Sequence, residues 1–362
     1  MPDRERKIIG GQHPNRASRG ARRAVRGARC AVRGARCAVR AARCASPVPG
    51  PGMVLHVTAP RVAVGPVSRD SACQAIRAGG GEPASVDAAA DALVWLDPAD
   101  LDGLRRALAA ASAARWIQLP MAGVEEVAAA GILGPARTWT SAKGAYAEPV
   151  AEHALALALA GLRSLRQRVT ARSWGEPAGQ SLYDEPVTIL GGGGIAASLL
   201  ELLAPFRVAA TVVRRSAEPL AGAARTLPQA RLHEALAGAR VTFLALALTP
   251  GTEQIIGSAE LAAMRPGSWL VNVARGRHVD TGALVATLRA GLIGGAALDV
   301  TDPEPLPDGH PLWQLGNCII TPHTADTPEM VERLLARRIQ DNVARFAAGQ
   351  PLTGLVDPAA GY

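Results

Sequence analysis

The chain is 362 residues long, enough for two domains and a sizeable core; 48% of it is apolar but only 3% aromatic, so alanine, leucine and valine must carry the packing. Its net charge of +8 is misleading: residues 1–52 hold 13 Lys/Arg against Asp3 and Glu5, whereas the rest of the chain holds 26 basic and 29 acidic side chains. A body of that balance argues against nucleic-acid binding, and no apolar run reaches the length of a membrane span.

The basic end contains a repeat of seven residues, AVRGARC, AVRGARC, AVRAARC, over residues 24–44. A period of seven suggests a coiled coil, but this repeat has no leucine and carries glycine in two copies. Arg-rich, acid-poor N-termini also resemble organelle transit peptides. Residues 1–52 read as a disordered low-complexity extension ending in a Pro/Gly linker (46–52), with Met53 as the natural start of the body. Three of the five cysteines lie in the repeat. Cys73 and Cys318 remain, which is neither a disulfide framework nor a zinc pattern, so no metal is expected and the compartment is reducing, hence cytoplasmic.

The body is expected to open with a strand at residues 54–57. Helices over 70–78 and 101–111 then alternate with short strands at 92–96 and 116–119, the pattern of a parallel α/β sheet; this first unit ends near Ser141. A long Ala/Leu-rich helix follows from Ala147 to about Arg172. It is apolar nearly all round, as at a domain or subunit junction.

Residues 187–215 are the centre of the second unit. An apolar strand (187–190) stops at four glycines, a helix-forming run starts at Ile195, and a β-branched strand (208–213) ends in Arg214 and Arg215. Gly191, Gly193 and Ala196 fit G-x-G-x-x-G/A within one βαβ unit. With Gly194 and Ile195 opening the helix, its first N–H groups would face a dinucleotide's phosphates. Alone, the pattern also fits a flexible turn. Further strands at 241–247, 269–273, 296–300 and 319–321 make this a complete doubly wound unit. The last helix starts at Thr327-Pro328, repeats Val331, Leu334, Leu335, Ile339, Val343 and Phe346 at helical spacing, and closes at Gly349.

Three segments follow strand ends of this unit. Arg275 (VNVARGRHVD) suits a carboxylate, which a guanidinium holds bidentately. Asp299 ends a strand, and Glu304 sits between two prolines that fix its direction (ALDVTDPEPL). His323 follows an apolar strand and a proline (IITPHTADT). Each alone reads as well as a solvated arginine, a surface acid or a structural histidine. Together they can converge beside one crevice. A histidine hydrogen-bonded to a carboxylate acts as a general acid near neutral pH, and an arginine and a nicotinamide beside it define hydride transfer to a 2-oxo acid.

The segments AEHALALALA, LTPGTEQIIG, VNVARGRHVDTGAL, GGAALDVTDPEPLPDGHPLW and TPHTA, with the glycine turn, resemble the D-isomer-specific 2-hydroxyacid dehydrogenase family, of the glyoxylate/hydroxypyruvate reductase kind. The likeness covers about residues 53–350 and is weakest in the first unit. It implies two doubly wound, Rossmann-like parallel-sheet domains: a substrate domain of residues 53–147 and 327–362, split by an NAD(P)-binding domain of residues 148–326. It implies that Arg275 orients substrate, Glu304 tunes the histidine and His323 is the acid/base. Asp299 would contact the nicotinamide amide, with Thr249 and Ala274 on the cofactor's side, and the amides near Ala122 and Gly123 would receive the substrate carboxylate. It also implies a homodimer. Departures are Ala245 and Ala247, where the family often has His-x-Pro, and Asp326, where glycine is frequent. These predict altered cofactor affinity and an altered rim near His323.

NAD-selective folds carry an acid at the end of the second strand. Arg214, Arg215 and Ser216 stand there instead, and would attract a 2′-phosphate. The expected cofactor is therefore NADP(H), with NAD as the alternative. The expected activity is an NADPH-dependent 2-oxoacid reductase. The other readings are an NAD-linked, phosphoglycerate-type dehydrogenase, a dinucleotide-sensing corepressor-like scaffold, and a nucleic-acid-binding role for the tail.

Overall fold

Short apolar runs punctuated by glycine and proline form two parallel sheets, most strands returning through a helix. The structure, a computed structural model, describes residues 59–359 apart from Ala217. The basic extension, its repeat and the strand expected at 54–57 lie outside the described residues.

The first sheet contains β1 (Arg61–Gly65), β2 (Glu82–Ala84), β3 (Ala92–Trp95), β4 (Trp116–Gln118) and β5 (Thr138–Thr140), in the order β2-β1-β3-β4-β5, all parallel. Its helices are α1 (Asp70–Ala78), α2 (Leu101–Ala110) and the short α3 (Glu125–Ala129). Two helices then lead out of it, α4 (Ala147–Leu162) and α5 (Leu165–Thr170). The second sheet contains β6 (Pro186–Leu190), β7 (Ala209–Arg214), β8 (Arg225–Pro228), β9 (Val241–Leu244), β10 (Trp269–Asn272), β11 (Gly295–Leu298) and β12 (Cys318–Ile320). Its order is β12-β11-β10-β9-β6-β7-β8, again all parallel. Its helices are α6 (Gly194–Leu203), α7 (Leu232–Gly238), α8 (Ser258–Ala263), α9 (Thr281–Arg289) and α10 (Pro311–Gln314); α11 (Pro328–Ala347) ends the fold. This is a Rossmann-like α/β architecture.

Two edge strands, EPA at β2 and RTLP at β8, carry no apolar run and were not expected from sequence. They exist because β1 and β7 offer them a free backbone edge. The expected helix to Arg172 also differs. It stops at Leu162, Ser164 turns left-handed at φ +52°, and α5 restarts with no buried residue. Leu162 is the last side chain with a core to enter, and its carbonyl accepts from the Gln180 N–H instead of a helical donor.

One core runs through both sheets: Ile76, Trp116 and Ile339 join Leu157, Leu199 and Phe243, all buried. Burying a side chain of this kind contributes about 1.5–3 kcal/mol. α4 lies at its centre, and Gly161 lets it touch the Trp269 ring with no room for a Cβ. Thr327 caps α11, accepting from the Met330 N–H, and α11 packs on α1 through Val343 against Gly79 and Gly81. No helix among the described residues is long and apolar enough to cross a membrane.

Candidate active site

In the second sheet the chain runs outward from β6 in both directions, so the loops after β6 and β9 part at their carboxyl ends and leave a crevice. Gly191, one residue past β6, adopts φ +112°, and a Cβ there would run into the Ala245 carbonyl. Gly193 caps the ten-residue α6 with no side-chain bond to its first N–H groups, and a Cβ on it would meet open space. Gly194 and Ile195 begin the helix. Unsatisfied N–H groups facing open space fit a phosphate. Arg214, at the end of β7, lies over the turn with its Cδ 2.9 Å from where a Gly192 Cβ would be, and has no ion-pair partner among the described residues. Arg215 is exposed beside it, and the Ser216 hydroxyl accepts from the Glu218 N–H. Thr249 heads the turn after β9, its N–H donating to Thr252 Oγ1 at 2.8 Å. The residues present therefore fit a dinucleotide.

The carboxyl ends of both sheets open on one cavity of about 760 Å³. The first sheet contributes Leu96 and the loop Pro120–Met121–Ala122–Gly123. The second contributes Val273, Arg275, Asp299 and His323, with Ile195 of α6 between them. Matched register explains the convergence: Asn272 pairs with Leu298, and Leu298 with Ile320, so the residues just past β10, β11 and β12 emerge at one edge.

His323 occupies the left-handed region at φ +48°, its N–H donating to the Asp299 carbonyl at 2.8 Å. Its ring Nδ1 lies 2.5 Å from Glu304 Oε1, and Nε2 has no hydrogen-bond partner among the described residues. Glu304 stands between Pro303 and Pro305 just outside the cavity wall.

The Asp299 carboxylate is spent on the loop that carries His323. Oδ1 accepts from Thr321 Oγ1 at 2.6 Å and from the Thr324 N–H at 3.0 Å, and Oδ2 accepts from the Ala325 N–H at 3.1 Å. His153 of α4 adds a contact to Oδ1 at 3.3 Å. Burial by itself would raise this pKa, but the hydrogen bonds from His153, Thr321 and Thr324 prevail and hold it at about 2. Asp299 is thus an ionised clasp beneath the His323 loop.

Arg275 is held at three points. Its N–H donates to His278 Nδ1 (3.2 Å), its carbonyl accepts from Asn272 Nδ2 (2.9 Å), and its Nη1 donates to the Ala274 carbonyl (2.7 Å). His278 is fully buried, and burial pushes its pKa below the ordinary histidine value; its Nε2 faces the Ala247 carbonyl at 3.3 Å. A neutral ring thereby ties the Arg275 turn to the loop after β9. The guanidinium reaches the first sheet's loop, where Glu125 Oε1 lies 3.4 Å from Nε. A Cβ on Gly123 would meet the ends of both side chains, which would have to move aside to admit it. Ala122 is fixed by its carbonyl, which accepts from Ser141 Oγ at 3.1 Å.

Of the residues expected from sequence, Arg275, Asp299, His323, Ala122, Gly123 and Ile195 line the cavity. Gly191, Gly193 and Gly194 form the turn after β6, Arg214 to Ser216 stand at and just past the end of β7, Thr249 lies in the turn after β9, and the Ala274 carbonyl accepts from Arg275 Nη1. Sequence reasoning missed Glu125, His153 and His278. The last two lie in quoted motifs (AEHALALALA, VNVARGRHVD), but nothing in the spacing reveals partners in other elements. Asp326, on the cavity wall, has its carboxyl pushed above the usual range by burial.

Residues 153–325 match the family model of the D-isomer specific 2-hydroxyacid dehydrogenase NAD-binding domain. A Corynebacterium melassecola protein known only by its position in the proB 3′ region is 41% identical over 254 residues, covering 68% of this chain and 84% of that one. A glyoxylate reductase of Aeropyrum pernix is 32% identical over 230 residues, covering 60% and 69%. Among solved structures, a D-isomer specific 2-hydroxyacid dehydrogenase from Xanthobacter autotrophicus Py2, in complex with NADPH and MES, aligns with a TM-score of 0.70 at 26% identity, covering 84% of this chain and 99% of that one.

Proposed function

Because the chain belongs to the D-isomer-specific 2-hydroxyacid dehydrogenase family, whose members act on CH–OH donors, we propose that it reduces a small 2-oxo acid of the glyoxylate/hydroxypyruvate kind with NADPH. The observation that carries this reading is the His323–Glu304 pair in reach of the cavity that Arg275 also lines.

In this reading Arg275 and the backbone near Ala122 and Gly123 hold the substrate carboxylate, turning the keto group toward His323. Glu304 accepts from Nδ1 and fixes the ring, so Nε2 presents the proton that the keto oxygen takes as it becomes a hydroxyl. The dinucleotide, when bound along Gly191, Gly193, Gly194 and Ile195, supplies the hydride. The apolar wall of Leu96, Met121, Val331 and Leu335 excludes water. Asp299 acts as the clasp of the His323 loop, alongside any contact with the nicotinamide.

Arg214, over the glycine turn, supports NADP rather than NAD, as does the NADPH bound in the Xanthobacter structure. The same reading assigns residues 53–147 and 327–362 to a substrate domain and 148–326 to the cofactor domain, with the packing of α11 on α1 in support. It also makes the protein a cytoplasmic homodimer. Exposed Val169 and Trp174, the latter 98% exposed, favour a second copy over solvent.

NADPH oxidation with glyoxylate, hydroxypyruvate, pyruvate and phenylpyruvate, repeated with NADH, tests the assignment. Turnover with NADPH is expected, and Arg214→Ala should raise the NADPH KM about tenfold while leaving NADH unaffected. No turnover with any of these acids would overturn the reading.

A further inference from the structure

The guanidinium of Arg275 has one edge already committed. One Nη1 N–H donates to the Ala274 carbonyl at 2.7 Å, and the edge formed by Nε and Nη2, free of that bond, can receive a carboxylate bidentately. Glu125 lies on that edge. Its Oε1 is 3.4 Å from Nε, and its Oε2 and Arg275 Nη2 both crowd the space a Gly123 Cβ would fill. A carboxylate therefore already stands on Arg275, beside the backbone of Gly123, where the substrate's own carboxylate would bind.

The contact is built to be exchanged. It is an ion pair without a hydrogen bond, and both side chains remain about one-third exposed. Glu125 is the first residue of a five-residue helix, so its side chain is free to swing without breaking a long element. Two carboxylates sharing one guanidinium edge would repel, so a bound acid and Glu125 cannot both remain there.

We propose that Glu125 is a substrate-displaced carboxylate: it occupies the binding edge of Arg275 until a 2-oxo acid replaces it, and so sets how much substrate the enzyme needs. The proposal rests on the assignment of Arg275 as the carboxylate ligand. Substrate pays for this displacement through a lower apparent affinity, because only molecules with Glu125 released are competent to bind.

The test uses the NADPH-loaded full chain, the E125Q variant of nearly equal size, and E125A as a second variant should the first fail to fold. Oxalate binding is measured by calorimetry, and glyoxylate KM by steady-state rates. Removing the charge should tighten oxalate binding and lower the glyoxylate KM by roughly 3- to 10-fold, the scale of a partly exposed ion pair, with the KM for NADPH unmoved. Unchanged or weaker oxalate binding would overturn the proposal, as would a fall in kcat with a higher KM, since Glu125 would then be holding Arg275 in its working pose. If no 2-oxo acid is reduced by the unmodified enzyme, the assigned reaction fails, while the oxalate arm still decides the role of Glu125.

Discussion

Glu304 and Glu125 each face a functional side chain of the same cavity, yet they do so in opposite ways. Glu304 comes from the same sheet as His323, is held between two prolines, and makes a 2.5 Å contact to Nδ1. Glu125 comes from the other sheet, begins a short helix, and meets Arg275 at 3.4 Å without a hydrogen bond. A tight, rigidly mounted carboxylate orients a ring for proton transfer. A loose one on a movable mount is a partner to be replaced. In the proposed mechanism one pair serves the chemical step and the other the binding step.

The largest expected effect is His323→Ala, which should lower kcat by roughly 10²- to 10⁴-fold with little change in NADPH affinity measured by fluorescence. Unchanged turnover would remove the acid from the site and end the contrast. Next is Asp299→Asn. The folded pKa of Asp299, about 2, lies below the ordinary aspartate value, so its ionisation stabilises the fold above about pH 4, and this contribution is lost as the pH falls toward 2. The amide should cost about 2 kcal/mol at pH 7, read as a lower Tm, and should flatten the acid limb of the stability curve. Glu304→Gln comes third, with about a tenfold fall in kcat and little change in substrate KM; in the His323→Ala background it should add almost nothing, because the two act as one unit. Its signature is thus opposite to that of E125Q, which moves KM. If both substitutions changed the same parameter, the two carboxylates would not have separate roles.

The second sheet was legible because its strands are continuous apolar runs buried on both faces, each followed by a polar motif. Arg275, Glu304 and His323 could be found this way, since the parallel arrangement brings all carboxyl ends to one edge. The first sheet was harder. Thr138–Thr140 and Glu82–Ala84 are three residues each and lack a periodic signal, so β5 and β2 depend on the backbone edges their neighbours present. Glu125 was invisible for a related reason: nothing in AGVEEV separates it from Glu126 until the fold brings Arg275 over Gly123. His153 likewise looked like one polar residue in an apolar helix, yet it reaches Thr321 Oγ1 at 3.1 Å across 168 residues.

By itself, then, the sequence determined the glycine turn, the arginines at the end of β7, and the strand-end triad. These depend on local backbone conformation and on side-chain chemistry at short spacing. Only the tertiary structure decided which carboxylate faces which cation, that Asp299 is spent on the His323 loop, and that the helix after Ala147 ends at Leu162. Pairing and burial depend on what lies across the cavity, and that is set by the packing of one sheet's strand ends against those of the other.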